Sequence, residues 1–320
     1  MNHHYSPAAR GSARRRHKFL QLMVLVSAFI LGLAACSSSA SMSSSPANSS
    51  ISSNPPSSSA AINHARSLLP ANIKSSGVLT LVSDFLYPPY AMKTSSGQFE
   101  GSDYDVGSLL ATILGLKPQW AQSIGFDTLI PAVQSGRFEV AMEGIDILPA
   151  RLKVVSFIRY MKSQDTVLVL KGNPDHIDPA NLCGTTLANQ AGDAESTITK
   201  EISSQCVASG KPAIKEEIYP TVTAAILAVQ AHHVQGFVDG VPSCVYSAQQ
   251  NPALGCAPGV LPPKLDLYYS GIAVAKSATQ LGQALTAALA VAQQDGSYAA
   301  ILKKWGLSEL SVPTKFYPST

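Results

Sequence analysis

From about Arg66 to Trp305, short apolar runs alternate with helix-like segments, and this alternation constrains the fold more than any other feature of the chain. Val78-Leu79-Thr80-Leu81-Val82 reads as a buried strand, and residues 138–142, 166–170, 185–189, 236–239 and 270–275 read as further strands. Helices are predicted over 103–114, 126–135, 194–204, 221–231, 279–294 and 298–305. Asp103 and Asp105 suit the first turn of their helix, and Gly115, Gly136 and Gly306 stand where three of these helices stop. Strand-then-helix order predicts an α/β fold with mostly parallel sheets flanked by helices. A chain of 320 residues is long for one core, so two domains are expected.

Charge separates an export leader from the rest. The chain has 23 Lys and Arg against 20 Asp and Glu, a net charge of +3. Residues 1–35 hold Arg10, Arg14, Arg15, Arg16 and Lys18 and no acid, so the remainder is acidic by two charges. The basic run precedes an apolar stretch over 19–35, the pattern of a secretory signal. The stretch ends in Leu33-Ala34-Ala35-Cys36, which resembles a bacterial lipobox and implies lipid on Cys36 with cleavage before it. An uncleaved membrane helix is the alternative, although the apolar stretch is near the lower limit for spanning. Arg15-Arg16 raises a twin-arginine signal, whose surrounding motif is incomplete. On each of these readings the remainder lies outside the cytoplasm.

Residues 37–60 contain 14 Ser in 24 positions, with Pro46, Pro55 and Pro56. Such a segment buries too little apolar surface to fold, so residues 36–66 are expected to form a flexible tether. As a coil of about 30 residues it spans on the order of 30 Å. Beyond Cys36 four cysteines remain: Cys183, Cys206, Cys244 and Cys256. An even number in an exported chain indicates two disulfides, with three connectivities open. The pairs nearest in sequence, Cys183–Cys206 and Cys244–Cys256, are preferred. None has the tight spacing of a zinc site.

Several local motifs occur in a consistent order: Tyr87-Pro88-Pro89-Tyr90, Gly101-x-Asp103-Tyr104-Asp105, Phe126-Asp127-x-Leu129-Ile130-Pro131, Gln134-Ser135-Gly136, Arg151, Lys171-Gly172-Asn173-Pro174, Leu182-Cys183-Gly184 and Gly296-x-Tyr298 with Trp305-Gly306. This order resembles the extracellular solute-binding proteins of family 3, the receptors of polar amino acid ABC importers, from about Gly77 to Leu307. The resemblance implies two α/β lobes joined by two crossing strands, with ligand held between them. Lobe 1 is then 67–165 plus 266–320, and lobe 2 is 166–265. It also implies a monomeric receptor that serves an ABC permease and its ATPase, with no cofactor.

The same resemblance suggests site residues. Arg151 stands where the family binds a ligand carboxylate, a role suited to a bidentate guanidinium. Asp239 stands where the family receives the α-ammonium, and Asp84 where basic-amino-acid receptors read the distal group. Tyr87 and Phe126 match the two aromatic positions that sandwich the side chain, by apolar contact or cation–π interaction. A surface ion pair, a turn cap or core packing is the ordinary alternative for each.

The chain then departs from the family. Where hydroxyl residues are usual, it has Glu143-Gly144-Ile145-Asp146, and Leu148 replaces a common Thr. The second-lobe turn that grips a carboxylate with amide groups is here Gly192-Asp193-Ala194-Glu195. Asp193 and Glu195 put negative charge on that helix start and oppose a ligand carboxylate. Asp84, Glu143, Asp146, Asp193 and Asp239 thus face Arg151 alone, unless Asp146 pairs with it and removes the carboxylate clamp. A cationic ligand is expected: a basic amino acid, a guanidino or quaternary-ammonium compound, or a polyamine.

Other classes find less support. There is no G-x-S-x-G, no H-E-x-x-H and no P-loop. His232-His233 reads as a solvated helix end, not a metal site. A dehydratase or lyase on the same fold would need acid/base groups, for which Glu143 and Asp146 are the candidates. A ligand sensor that reports to a membrane kinase is the other alternative. Nucleic-acid binding is not expected, because no basic patch lies outside the leader.

Overall fold

The computed structural model describes residues 58–123, 125–262 and 269–320. The proposed leader, Cys36 and most of the tether lie outside the described residues. Helices α1 (Ser58–Ser67) and α2 (Ala71–Ser76) lead into strand β1 (Val78–Ser83). A small antiparallel sheet of β2 (Leu86–Tyr87), β3 (Ala91–Lys93) and β4 (Phe99–Glu100) precedes α3 (Ser102–Ile113) and β5 (Lys117–Gln122). One 3-10 turn, Phe126–Thr128, opens onto α4 (Leu129–Gln134), followed by β6 (Val140–Ala141), α5 (Pro149–Leu152) and β7 (Val155–Lys162). Next come β8 (Asp165–Leu170), β9 (Thr186–Gln190), α6 (Glu195–Ala208), β10 (Lys215–Tyr219), α7 (Val222–Gln230), β11 (Gly236–Gly240), α8 (Val241–Gln250) and β12 (Leu254–Cys256). The chain closes with β13 (Tyr269–Ala275), α9 (Thr279–Gln294), α10 (Ser297–Lys304) and β14 (Ser311–Tyr317).

Apart from β2, β3 and β4, the strands build one main sheet per lobe. The first has the order β14-β7-β13-β6-β1-β5 and the second β10-β9-β11-β8-β12. The chain passes from the first to the second between Lys162 and Asp165. It returns between Cys256 and Tyr269, in part through residues outside the described set. The expectation of mostly parallel sheets needs correction. β1 is parallel to β5 and β6, but β13 and β7 run antiparallel to their neighbours. In the second sheet β9 is parallel to β10 and β11, while β8 is antiparallel to β11 and β12. Helical crossovers produce the parallel pairs; the strands by which the chain leaves and re-enters a lobe run against them.

The span expected as tether, 36–66, overlaps a helix among the described residues. Ser58–Ser67 is helical, with Ala65 buried and Ala61 and Ile62 packed on the same core as α9. These apolar residues recur at helical spacing along one face, so this Ser-rich stretch can dock on one side. Helix α9 matches its expected span, 279–294, because Leu281, Leu285, Ala288, Leu289 and Ala292 form a buried stripe. Burying each Leu stabilises the lobe by about 1.5–3 kcal/mol. The backbone of α9 approaches β14 closely: a Cβ on Gly282 would sit 2.3 Å from the ring of Phe316. Helix α7 begins with Thr221, whose hydroxyl accepts from Ala224 N at 3.1 Å, a side-chain cap on a free helical amide.

The four cysteines form Cys183–Cys206 and Cys244–Cys256. The first bridge joins the loop before β9 to α6, and the second joins α8 to β12.

Candidate functional site

The ends of the strands and their following loops meet in one cleft between the two sheets. Of the residues singled out in the sequence, Tyr87, Phe126, Glu143, Gly144, Asp146 and Arg151 line its first-lobe wall. Asp193, Ala194 and Asp239 line the opposite wall. Asp84 and Gly192 lie just off the lining.

The loop after β6 sets much of this geometry. Ile145 and Ile147 are fully buried, and they hydrogen-bond to β13 through Ile145 O with Gly271 N and Ile147 N with Tyr269 O. Asp146, between them and bridged to Ser270, turns its side chain the other way, into the cleft, while Gly144, at φ +60°, forms the bend before it. Asp103, buried in the first turn of α3, fixes the loop from below. Its Oδ2 accepts from Gly144 N at 2.7 Å, and both carboxylate oxygens accept from Tyr160 Oη at 2.8 Å. Burial still raises the Asp103 pKa to about 6, although these hydrogen bonds favour its charged form. Gly101, just before, has φ +130°, and a Cβ there would lie 2.2 Å from Tyr90 O, so only glycine fits.

Asp84 stands behind Glu143 instead of on the cleft wall. Its Oδ1 accepts from Leu86 N at 2.7 Å, and its amide donates to Glu143 Oε2 at 2.9 Å. Glu143 is fully buried, and burial followed by the neighbouring Asp84 carboxyl holds its pKa well above the usual carboxylate range. Its other oxygen, Oε1, has no hydrogen-bond partner.

Arg151, on the short helix α5, crosses the cleft. Its Nη1 donates to Asp146 O at 2.8 Å and its Nη2 to Gly192 O at 2.8 Å. The bond to Asp146 is therefore to the main chain and not to the carboxylate. The guanidinium carbon lies 5.6 Å from the centre of the Phe126 ring. Burial lowers the Arg151 pKa, and the charges of Asp146, Glu195 and Asp193 oppose that shift.

On the second lobe, Asp193 closes the turn before α6. Its Oδ2 accepts from Gln190 N at 2.6 Å and its Oδ1 from Ser196 N at 2.8 Å. The carboxylate thereby takes amides that a bound anion would use. Burial raises its pKa to about 7 despite these bonds. Gly192 has φ +81°, and a Cβ there would meet Asp127 Cβ at 2.8 Å, so the two lobes touch at this glycine. Tyr87 reaches across as well: its hydroxyl lies 2.7 Å from where a Cβ of Gly240 would stand, and it helps to stabilise the charged form of Asp239. Asp239 is nevertheless pushed to about 7 by burial.

The space remaining is narrow. It amounts to about 20 Å³, enough to hold one water. A solute of amino-acid size therefore enters only when the walls part.

Sequence reasoning missed several residues that matter here. Tyr90, Ser163, Gln190 and Glu195 also line the cleft. One carboxylate oxygen each from Asp146, Asp165 and Glu195 lies within 4.8 Å of the others. In the sequence Glu195 reads only as charge at a helix start, and Asp165 opens β8 where nothing local marks it. The Asp103 contact with Gly144 links positions 41 apart and has no local signature.

Comparison with known proteins gives a consistent picture. The arginine-binding protein ArgT of Corynebacterium glutamicum is 27% identical over 249 residues, which span 76% of this chain and 79% of that one. A crystal structure of the P235GK mutant of ArgBP from T. maritima superposes with a TM-score of 0.64 at 26% identity, covering 77% of this chain and 99% of that one. The ancestral amino acid-binding protein AncCDT-1, a precursor of cyclohexadienyl dehydratase, superposes with a TM-score of 0.63 at 28% identity, covering 73% and 97%. The family model of the bacterial extracellular solute-binding proteins, family 3, matches residues 79–308, which include the cleft residues and every strand of the two main sheets but β14 and the first residue of β1, and the chain belongs to that family.

Proposed function

We propose that this protein is the extracytoplasmic receptor of an ABC importer and that it captures a cationic, amino-acid-like solute, a basic amino acid or another amine, between its lobes. One observation carries the ligand class. Among the described residues that line the cleft, Arg151 is the single cation, and Glu143, Asp146, Asp193, Glu195 and Asp239 are all acidic. Burying an anion among these groups would leave charges unpaired, whereas burying a cation pairs them. The arginine-binding relatives support the same class.

Function follows from closure. A solute touching both walls favours the closed arrangement by its differential affinity for it. The closed receptor then presents itself to a permease driven by its ATPase. In this reading the protein is monomeric, is not an enzyme, and is held at the membrane by lipid on Cys36 through the Ser-rich tether. The sequence of Cys36 and its leader supports that anchor, and metabolic labelling with a fatty acid tests it: loss of label in Cys36→Ser is expected.

Calorimetric titration tests the ligand class. Arginine, lysine and simple amines should give saturable binding, while glutamate and glutamine give none. Tight glutamate binding without any response to cations would overturn the proposal. Incubation of bound solutes followed by mass analysis should return them unchanged, and turnover would make the protein a lyase on this fold.

A further inference from the structure

The cleft acids are not equivalent. Asp193 accepts a main-chain amide on each oxygen, whereas five carboxylate oxygens at or just behind the cleft wall are buried without a hydrogen-bond partner: Asp84 Oδ2, Glu143 Oε1, Asp146 Oδ1, Asp165 Oδ1 and Asp239 Oδ2. An acceptor left so when buried carries a desolvation penalty, greater when it is charged. Asp146 and Asp165 are 8% and 3% exposed, and their oxygens converge with one of Glu195 within 4.8 Å. These three come from the loop after β6, the start of β8 and the first residue of α6, so they bring both lobes to one point. Glu143 and Asp239 stand outside this group yet line the same cleft. Glu143 abuts the Asp84 carboxyl behind the wall, so Asp239 Oδ2 is the unpartnered oxygen on the cleft wall that stands apart from the three-acid group.

Arg151 is poorly set to receive a carboxylate. Two of its N–H groups already hold the carbonyls of Asp146 and Gly192, and its charge faces Asp146, Asp193 and Glu195. A carboxylate at its free edge would lie among those acids, and the amide of Ser196 is already taken by Asp193. Resting on the cationic class proposed above, we infer that the solute carries two cationic groups and no carboxylate, as an α,ω-diamine or a guanidino-alkylamine does, with one cationic end seated among Asp146, Asp165 and Glu195. An ammonium brings three donors and a guanidinium five, which matches an acceptor-rich, donor-poor cleft. The second end falls to Asp239 on the second-lobe wall, whose Oδ2 has no partner. Burial raises the pKa of the convergent acids, and a bound cation would reverse that cost.

Matched pairs that differ only by a carboxylate provide the test. Titrations of the full-length protein should show agmatine binding at least about tenfold tighter than arginine, and cadaverine tighter than lysine by a similar factor. Arginine and lysine binding as tightly as, or more tightly than, their decarboxylated partners would overturn the inference and leave the cationic class intact. Absence of binding by every organic cation would overturn both. A calcium ion binding at the three acids, with no response to amines, would also overturn it. Glu195→Gln should weaken agmatine or cadaverine binding by about tenfold, with an unliganded melting temperature no lower than that of the parent. Asp165→Asn should do the same. Unchanged amine affinity in both variants would remove the three-acid seat.

Discussion

The six-stranded sheet of the first lobe is covered on both faces by apolar side chains: α9, α3 and α1 on one side, and Leu129, Val133, Ile145 and Ile147 on the other. The five-stranded sheet of the second lobe carries two clusters that together are smaller than those of the first. One contains Val167, Val169, Ile198 and Cys206, the other Leu168, Phe237, Val229 and Cys244. Alternation along β8 sends Val167 and Val169 to one face and Leu168 to the other. Each face of the smaller sheet therefore has one disulfide, and the larger sheet has none. A small lobe buries a smaller share of its surface, and cross-links compensate in an exported chain. The lobes differ in polar anchoring too. The first fixes its cleft loop from below with Asp103, which bonds Gly144 N and Tyr160 Oη; the second fixes its own turn with Asp193, which accepts from Gln190 N and Ser196 N.

Breaking this contrast should show most strongly at the disulfides. Cys183 and Cys206 are separated by 23 residues. Replacing both with Ala should cost about 3 kcal/mol in urea unfolding, by the loop-closure entropy restored to the unfolded chain. Hydrogen exchange should locate the loss in β8 to β12, and uniform loss across both sheets would refute the division of labour. A smaller effect is expected in the first lobe. Asp103→Ala leaves Gly144 N and Tyr160 Oη without their acceptor and should cost about 2 kcal/mol. It should also weaken ligand binding, although Asp103 does not line the cleft; unchanged affinity would show that the Gly144 loop holds its place without it.

The smallest effect concerns pH and has opposite signs for stability and binding. Asp193 and Asp239 are raised to about 7, and Asp103 and Asp146 to about 6, above their unfolded values. A raised carboxyl contributes stability that is present below its unfolded pKa and lost as pH rises through the folded one. The unliganded melting temperature should therefore fall as pH rises from about 4 to 8. A bound cation favours the deprotonated acids, so its affinity should rise over the upper part of that range. One proton released from a group titrating near 7 makes the change from pH 6 to pH 8 about tenfold. Proton release on binding, measured in two buffers of different ionisation enthalpy, checks the sign, and parallel trends in stability and affinity would refute it.

Much of the scaffold was legible because its signals are local. The stripe on α9 has the period of a helix, and the apolar runs at β1, β8 and β11 mark buried strands. β7 was not legible, since Ser156 and Arg159 interrupt its run, and it exists because β13 and β14 pair with it on both sides. The cleft divides in the same way. The sequence marked an acidic site around one arginine, because charge and residue type are written in the chain. Only the tertiary structure decided that Asp84 withdraws behind Glu143, that Asp193 caps a turn, and that Asp146, Asp165 and Glu195 converge. Composition determines how much charge a cleft can hold, but which oxygens lose their partners depends on contacts between residues far apart in sequence, and only folding sets those.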